Sequence, residues 1–166
     1  KIDLLESDFD KGIHHHFKTF PYIIEDEYLR KRMCTFLSQY DIITIDRDPF
    51  DTMLSYMYQS ETKWNYAHRA KGQVLNIEPF KIGKFSVVEW VRNHKTYKHF
   101  ISNLNVVKTF KYEELTEENI SNFLNHKFNY GVWSMQPMNI DYENIITNID
   151  EVKLVFEHVM EKHENM

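Results

Sequence analysis

An arginine between two aspartates is the first feature of the sequence that could carry out chemistry. Arg47 lies between Asp46 and Asp48, directly after the apolar run Ile42 to Ile45 and directly before Pro49. One interpretation is an ion pair between the guanidinium and a neighbouring carboxylate. The other is that Arg47 binds a phosphate, because a guanidinium beside a helix N-terminus is a common anion site.

Ser55 favours the phosphate interpretation. It follows Arg47 by eight residues and lies among the apolar residues Met53, Leu54 and Met57. A hydroxyl in such a stripe can bond a backbone carbonyl one turn back, or it can point at the anion that Arg47 holds. In the second case, the aspartates beside Arg47 would orient its guanidinium or cap the helix that follows.

Three adjacent histidines are the second candidate for chemistry. His14, His15 and His16 lie in the segment "GIHHHF", which predicts a short strand over Gly12 to Phe17. Successive strand residues face opposite sides, so His14 and His16 share one face, and His16 lies nearest the carboxyl end. A tag remnant, a metal site or half-buried imidazoles are the alternatives, although adjacent strand residues cannot all converge on one metal ion.

Strands that alternate with helices are predicted to position these residues. Apolar residues at steps of three and four predict helices, and short β-branched runs predict strands. The predicted helices are Glu25 to Gln39, Phe85 to Ile101, Tyr142 to Glu164 and two that start at Pro49 and Thr116; the predicted strands are Ile42 to Ile45, buried on both faces, and Val106 to Tyr112. The alternation predicts a helix-rich α/β fold with a parallel sheet flanked by helices, in which ligands bind beyond the carboxyl ends of the strands.

Composition restricts the class of partner. The chain has 166 residues, of which 42% are apolar and 27% charged, as in an ordinary globular domain. A net charge of −5 gives no reason to expect a nucleic-acid or membrane partner. The single cysteine, Cys34, excludes an internal disulfide and is typical of a reducing compartment, so we expect a cytoplasmic protein. Cys34 falls in an apolar helical pattern, which indicates a core residue rather than a nucleophile.

The segment around Arg47 resembles a known family. "IITIDRDPFDTMLSYMY" is similar to the 3′-phosphate-binding segment of the sulfotransferases that use 3′-phosphoadenosine 5′-phosphosulfate (PAPS), in which Arg-(Asn/Asp)-Pro follows a strand and a serine lies eight residues after the arginine. "VVKTFKYEEL" resembles the family's strand that ends in Tyr-Glu-Asp-Leu, and "EWVRNHKTYKHFI" occupies the place of its Trp-containing helix. The resemblance covers roughly residues 13 to 125.

The resemblance implies a single sulfotransferase-like domain over residues 1–166, with the three-layer architecture of P-loop NTPases. It implies an enzyme that transfers a sulfuryl group from PAPS, as co-substrate and without a metal, to a hydroxyl or amine of a small-molecule or glycan acceptor. Arg47 and Ser55 would hold the 3′-phosphate, and Tyr112 would lie by the adenine. Many members carry a Lys-Thr-His motif whose histidine deprotonates the acceptor; here the segment reads Lys18-Thr19-Phe20, so His16 is the candidate general base.

Two parts of the family pattern have no counterpart in the sequence. The loop of type Pro-Lys/Arg-Ser-Gly-Thr that cradles the 5′-phosphosulfate does not occur, and "FNYGVWSMQP" lacks the basic residues of the family's Arg-Lys-Gly loop. Because the chain begins at Lys1, we expect that an N-terminal portion is missing. The alternative is a non-catalytic sulfotransferase-like binding or structural protein that lost the donor loop. A kinase is disfavoured because no Gly-x-x-x-x-Gly-Lys-Ser/Thr motif occurs.

Overall fold

Helices predominate in the described part of the protein. The structure, a computed structural model, describes residues 26–61, 78–125 and 140–162. The elements are α1 Glu27–Leu37, β1 Ile42–Asp46, α2 Pro49–Glu61, α3 Lys84–Ser102, β2 Val106–Lys111, a 3₁₀ turn Tyr112–Glu114, α4 Glu117–Leu124, α5 Tyr142–Ile145 and α6 Ile149–Lys162. The two strands form a small parallel sheet, which confirms the prediction of a helix-rich chain with a parallel sheet.

Side-chain caps fix where several of these helices begin. Asp26 accepts hydrogen bonds from the backbone N–H groups of Tyr28 and Leu29, so α1 starts at Glu27. The hydroxyl of Thr116 accepts from the N–H of Asn119 in the same way at the start of α4. These bonds satisfy N–H groups that have no partner within the helix. The helices predicted at both places are confirmed.

The strand β1 differs from its prediction in burial. The strand itself is confirmed, but the side chains of Ile43 and Ile45 are 39% and 49% exposed. The expectation that this strand is buried on both faces is therefore wrong. The reason is that β-branched residues favour an extended backbone through their restricted rotamers, and that preference acts whether or not a face is covered.

The last predicted helix is two helices with a break between them. Ile146 forms a parallel β-bridge with Phe80, and the backbone of Phe80 bonds both the Ile145 carbonyl and the Thr147 N–H at 2.9 Å. The amide side chain of Asn148 extends this pairing, because it donates to the carbonyl of Ile82 and accepts from its N–H, each at 3.0 Å. A continuous helix could not offer these groups to the neighbouring segment, so the chain leaves the helix for three residues.

The chain divides into two compact units, and each has its own core. The first unit contains residues 1–44 and 92–109, and its described core consists of Met33, Phe36, Leu37 and Phe100. The second unit contains residues 45–91 and 110–166. Its described core residues are Met53, Leu54, Ile82, Val87, Val91, Ile146, Val152 and Phe156. No helix within the described residues is long and apolar enough to cross a membrane.

Candidate functional site

Arg47 lies in the two-residue connection between the end of β1 and the start of α2. Asp48 caps this helix: its carboxylate accepts the N–H of Asp51 at 2.9 Å, and its carbonyl accepts the N–H of Thr52 at 3.0 Å. Pro49 takes the first helical position, where its missing N–H costs no hydrogen bond. Of the two roles expected for the neighbouring aspartates, Asp48 therefore has the capping role.

The guanidinium of Arg47 stacks on an aromatic ring. Its central carbon lies 4.8 Å from the centroid of the Tyr112 ring, which is within the range of a cation–π interaction. Tyr112 directly follows β2, as Arg47 directly follows β1. Because the two strands are parallel neighbours, their carboxyl ends lie at the same edge of the sheet. Two residues far apart in the sequence thus meet where an α/β protein places its ligand.

The structure gives Arg47 an aromatic partner, and the ion-pair interpretation stays a prediction. The ion pairs of the described residues include those of Lys31 with Glu27 and of Lys84 with Glu151, neither of which involves Arg47. The guanidinium is half-buried. A partly desolvated guanidinium in this state is suited to bind an anion.

Ser55 belongs to a stripe along α2 that also contains Asp51 and Tyr58. These residues are separated by four and three positions, so they lie on one face of the helix. Ser55 is half-buried, and its oxygen accepts a long hydrogen bond of 3.5 Å from the side-chain amide of Gln59. Tyr58 is 3% exposed, and its ring packs edge-on against that of Tyr142 at a centroid distance of 6.2 Å.

Tyr142, the first residue of α5, contacts this stripe through the ring of Tyr58. Burial raises the pKa of its phenol above the ordinary value, and hydrogen bonding with Ser55 and the charge of Arg47 lower it in part. Asp51 and Tyr112 act on the same phenol and raise its pKa. The phenol is therefore neutral near pH 7 and can donate a hydrogen bond. The predicted site residues Arg47, Ser55 and Tyr112 thus all influence the pKa of the Tyr142 phenol.

These side chains can bind an anion joined to a flat ring. A guanidinium supplies charge and paired donors, the hydroxyls of Ser55 and Tyr142 supply neutral donors, and the ring of Tyr112, 36% exposed, supplies an aromatic surface. Two carboxylates oppose anion binding, those of Asp48 and Asp51 at the start of α2. Since their charges repel an anion, the charge of Arg47 must offset them for binding to occur.

Several residues predicted for the site lie outside the described residues. They include the candidate base His16, the predicted strand Gly12 to Phe17 and the segment "FNYGVWSMQP". Within the described ranges, no group of three or more His, Cys, Asp or Glu side chains is placed to hold a metal ion. Cys34 packs partly buried against the core of the first unit, and burial raises the pKa of its thiol, as expected for a core residue rather than a nucleophile.

Sequence reasoning did not identify Tyr142. The apolar period from residue 145 onward predicted one helix and made Tyr142 its first residue, remote from the site. One local signal points to the true helix start: Asn148 precedes α6, with Glu151 three residues later, which is the spacing of a capping box. That signal predicts a break before α6. No pattern in the sequence predicts that Tyr142 lies near Ser55.

No protein-family model matches the chain, and no curated protein sequence or solved structure matches it significantly. The function is therefore inferred from the side chains that meet at the carboxyl ends of β1 and β2.

Proposed function

We propose that the protein is a PAPS-dependent sulfotransferase, or the larger part of one. Arg47 and Ser55 form the site for the 3′-phosphate of the cofactor, and Tyr112 lies by its adenine. The observation that carries the proposal is the contact of Arg47 with Tyr112, from two separate sequence segments, at the carboxyl ends of β1 and β2. The three-layer sulfotransferase architecture and a cytoplasmic location belong to the same proposal, and the single cysteine supports the second.

The reaction proposed is a direct transfer. A hydroxyl or amine of a small-molecule or glycan acceptor attacks the sulfur of PAPS, and the bond between sulfur and the 5′-phosphate oxygen breaks. The phosphate oxygen keeps that electron pair, so 3′-phosphoadenosine 5′-phosphate (PAP) leaves. His16 takes the proton of the acceptor as general base. Positive groups at the donor stabilise the charge that develops on the leaving phosphate.

Calorimetry with PAP tests the cofactor site. We expect the full chain to bind PAP and Arg47→Ala to weaken binding about 30-fold or more, because a phosphate would face Asp48 and Asp51 without the guanidinium. Arg47→Lys should fall between the two, since an ammonium keeps the charge and loses the paired donors. The control is Arg92→Ala, which removes the same charge from an exposed position on α3. Equal affinity of Arg47→Ala and the unchanged protein would disprove the site.

One feature of the sequence favours a second function. Because no Gly- and Ser-rich donor loop occurs in the chain, a non-catalytic sulfotransferase-like binding protein is the alternative. Incubation with labelled PAPS and a panel of hydroxyl and amine acceptors separates the two. An enzyme transfers label to an acceptor and loses that transfer in His16→Ala while it still binds PAP. A binding protein binds PAP and transfers no label to any acceptor.

A further inference from the structure

We propose that Tyr142 is a ligand-binding residue of the site and that Ser55 acts through it. In this arrangement the phenol of Tyr142 donates the neutral hydrogen bond to the anion held by Arg47, while the Ser55 hydroxyl orients that phenol. The inference rests on the proposed function, because it concerns the 3′-phosphate site.

The position of Tyr142 is fixed by its backbone and its ring. Its carbonyl accepts the N–H of Ile146 at 2.8 Å, and Ile146 is held in the β-bridge to Phe80. Its ring packs edge-on against the buried Tyr58 and against the core of the second unit. A ring held from two sides places its hydroxyl with little freedom, so little conformational entropy is lost when the hydroxyl binds a ligand.

The stripe on α2 brings the hydroxyl of Ser55 to that of Tyr142. Ser55 lies one turn before Tyr58, on the face of α2 that contacts the Tyr142 ring. The oxygen of Ser55 accepts from Gln59, so its own O–H can donate to the phenol oxygen. A phenol whose oxygen accepts from Ser55 keeps its own proton as a donor, and in the proposed arrangement that proton is donated to the ligand.

Arg47 supplies the reason that the ligand is an anion. Its guanidinium lies over Tyr112 and acts electrostatically on the Tyr142 phenol. In the proposed arrangement, the charged donors of Arg47 and the neutral donor of Tyr142 bind one phosphate. A neutral phenol also costs less to bury than a second cation would, which suits the half-buried position of Tyr142.

The test compares two nucleotides that differ only in the 3′-phosphate, PAP and adenosine 5′-monophosphate (AMP). We expect Tyr142→Phe to lower the affinity for PAP about tenfold and to leave the affinity for AMP unchanged, since a hydrogen bond to a charged group is lost at the 3′-phosphate alone. Ser55→Ala should have a similar effect. The double variant should bind PAP as tightly as either single variant, because the two substitutions remove the same hydrogen bond to the ligand. Tyr28→Phe, at a 71% exposed position, is the control.

Three results would overturn the role of Tyr142: unchanged PAP affinity in Tyr142→Phe, equal weakening of PAP and AMP, or effects of the two single variants that multiply in the double variant. Thermal unfolding of each variant shows whether the fold is retained. If Arg47→Ala removes the preference for PAP and Tyr142→Phe does not, the proposed function stands and the inference about Tyr142 fails. If the unchanged protein does not prefer PAP to AMP, both fail together.

Discussion

At the scale of single residues, the site depends on how Arg47 is held. The guanidinium stacks on Tyr112, and the neighbouring Asp48 is engaged with the N–H of Asp51 at the start of α2. The capping bond occupies one carboxylate oxygen of Asp48. Stacking also restricts the rotamers of a long side chain before a ligand arrives, which lowers the entropy lost on binding.

Substitutions of Tyr112 test this stacking. Tyr112→Phe keeps the face of the ring, so we expect its affinity for PAP to stay within about threefold of the unchanged protein. Tyr112→Leu removes the ring and should lower the affinity for PAP about fivefold or more, because both the cation–π contact and the aromatic surface for the adenine are lost. Calorimetry measures both, and Tyr28→Leu serves as an exposed control. Wild-type affinity in Tyr112→Leu would remove Tyr112 from the site.

At the scale of elements, the break between α5 and α6 positions Tyr142. The backbone of Phe80 and the side chain of Asn148 share the pairing that holds this break. Ile82 is 5% exposed, so its N–H and carbonyl depend on the amide of Asn148 for their hydrogen bonds. The break therefore gives hydrogen-bond partners to backbone groups of Phe80 and Ile82. The apolar period of the sequence alone would have continued the helix.

Asn148→Ala is expected to lower the free energy of unfolding by about 2 kcal/mol, since it leaves two buried backbone groups of Ile82 without partners. Asn148→Asp keeps the acceptor for the Ile82 N–H and loses the donor to the carbonyl, so it should destabilise as well. Urea denaturation followed by circular dichroism measures both. Asn122→Ala, at an exposed position of α4, should show no loss. If Asn148→Ala and Asn122→Ala had the same free energy of unfolding, the side chain of Asn148 would not stabilise the break between α5 and α6.

At the scale of the whole molecule, the site residues all belong to the second of the two compact units. Arg47, Ser55, Tyr112 and Tyr142 lie within residues 45–91 and 110–166. The core of this unit contains Phe156 of α6, whose ring contacts those of Phe50 at 5.2 Å and Trp90 at 6.3 Å. The helix α2, which presents Ser55, is thus anchored through Phe50 to the same core.

Phe156→Ala tests that anchoring. Phe156 is 8% exposed, and its loss leaves a cavity among aromatic rings, so we expect a decrease of about 3 to 5 kcal/mol in the free energy of unfolding. Leu154→Ala is a matched control on the same helix: its side chain is 67% exposed, and its loss should change stability by no more than about 0.5 kcal/mol. Thermal and urea unfolding give both values. Similar effects of the two substitutions would contradict the placement of Phe156 in the core.

The sequence by itself determined the local features. The run of β-branched residues gave a strand at Ile42, the Asp48-Pro49 pair gave a helix start, and Thr116 gave another, because strand propensity and capping act over a few neighbouring residues. The family resemblance made Arg47 and Ser55 candidates for a phosphate site, which stays a prediction. Sequence could not give the half-exposure of β1, which depends on what covers a strand.

Only the tertiary structure decided which residues share the site. The stacking of Arg47 on Tyr112 follows from the parallel pairing of two strands that are far apart in the chain. The place of Tyr142 follows from a bridge between Phe80 and Ile146 that overrides the helical period of the sequence. Both depend on hydrogen bonds between segments distant in sequence, and periodicity within one segment contains no information on such partners.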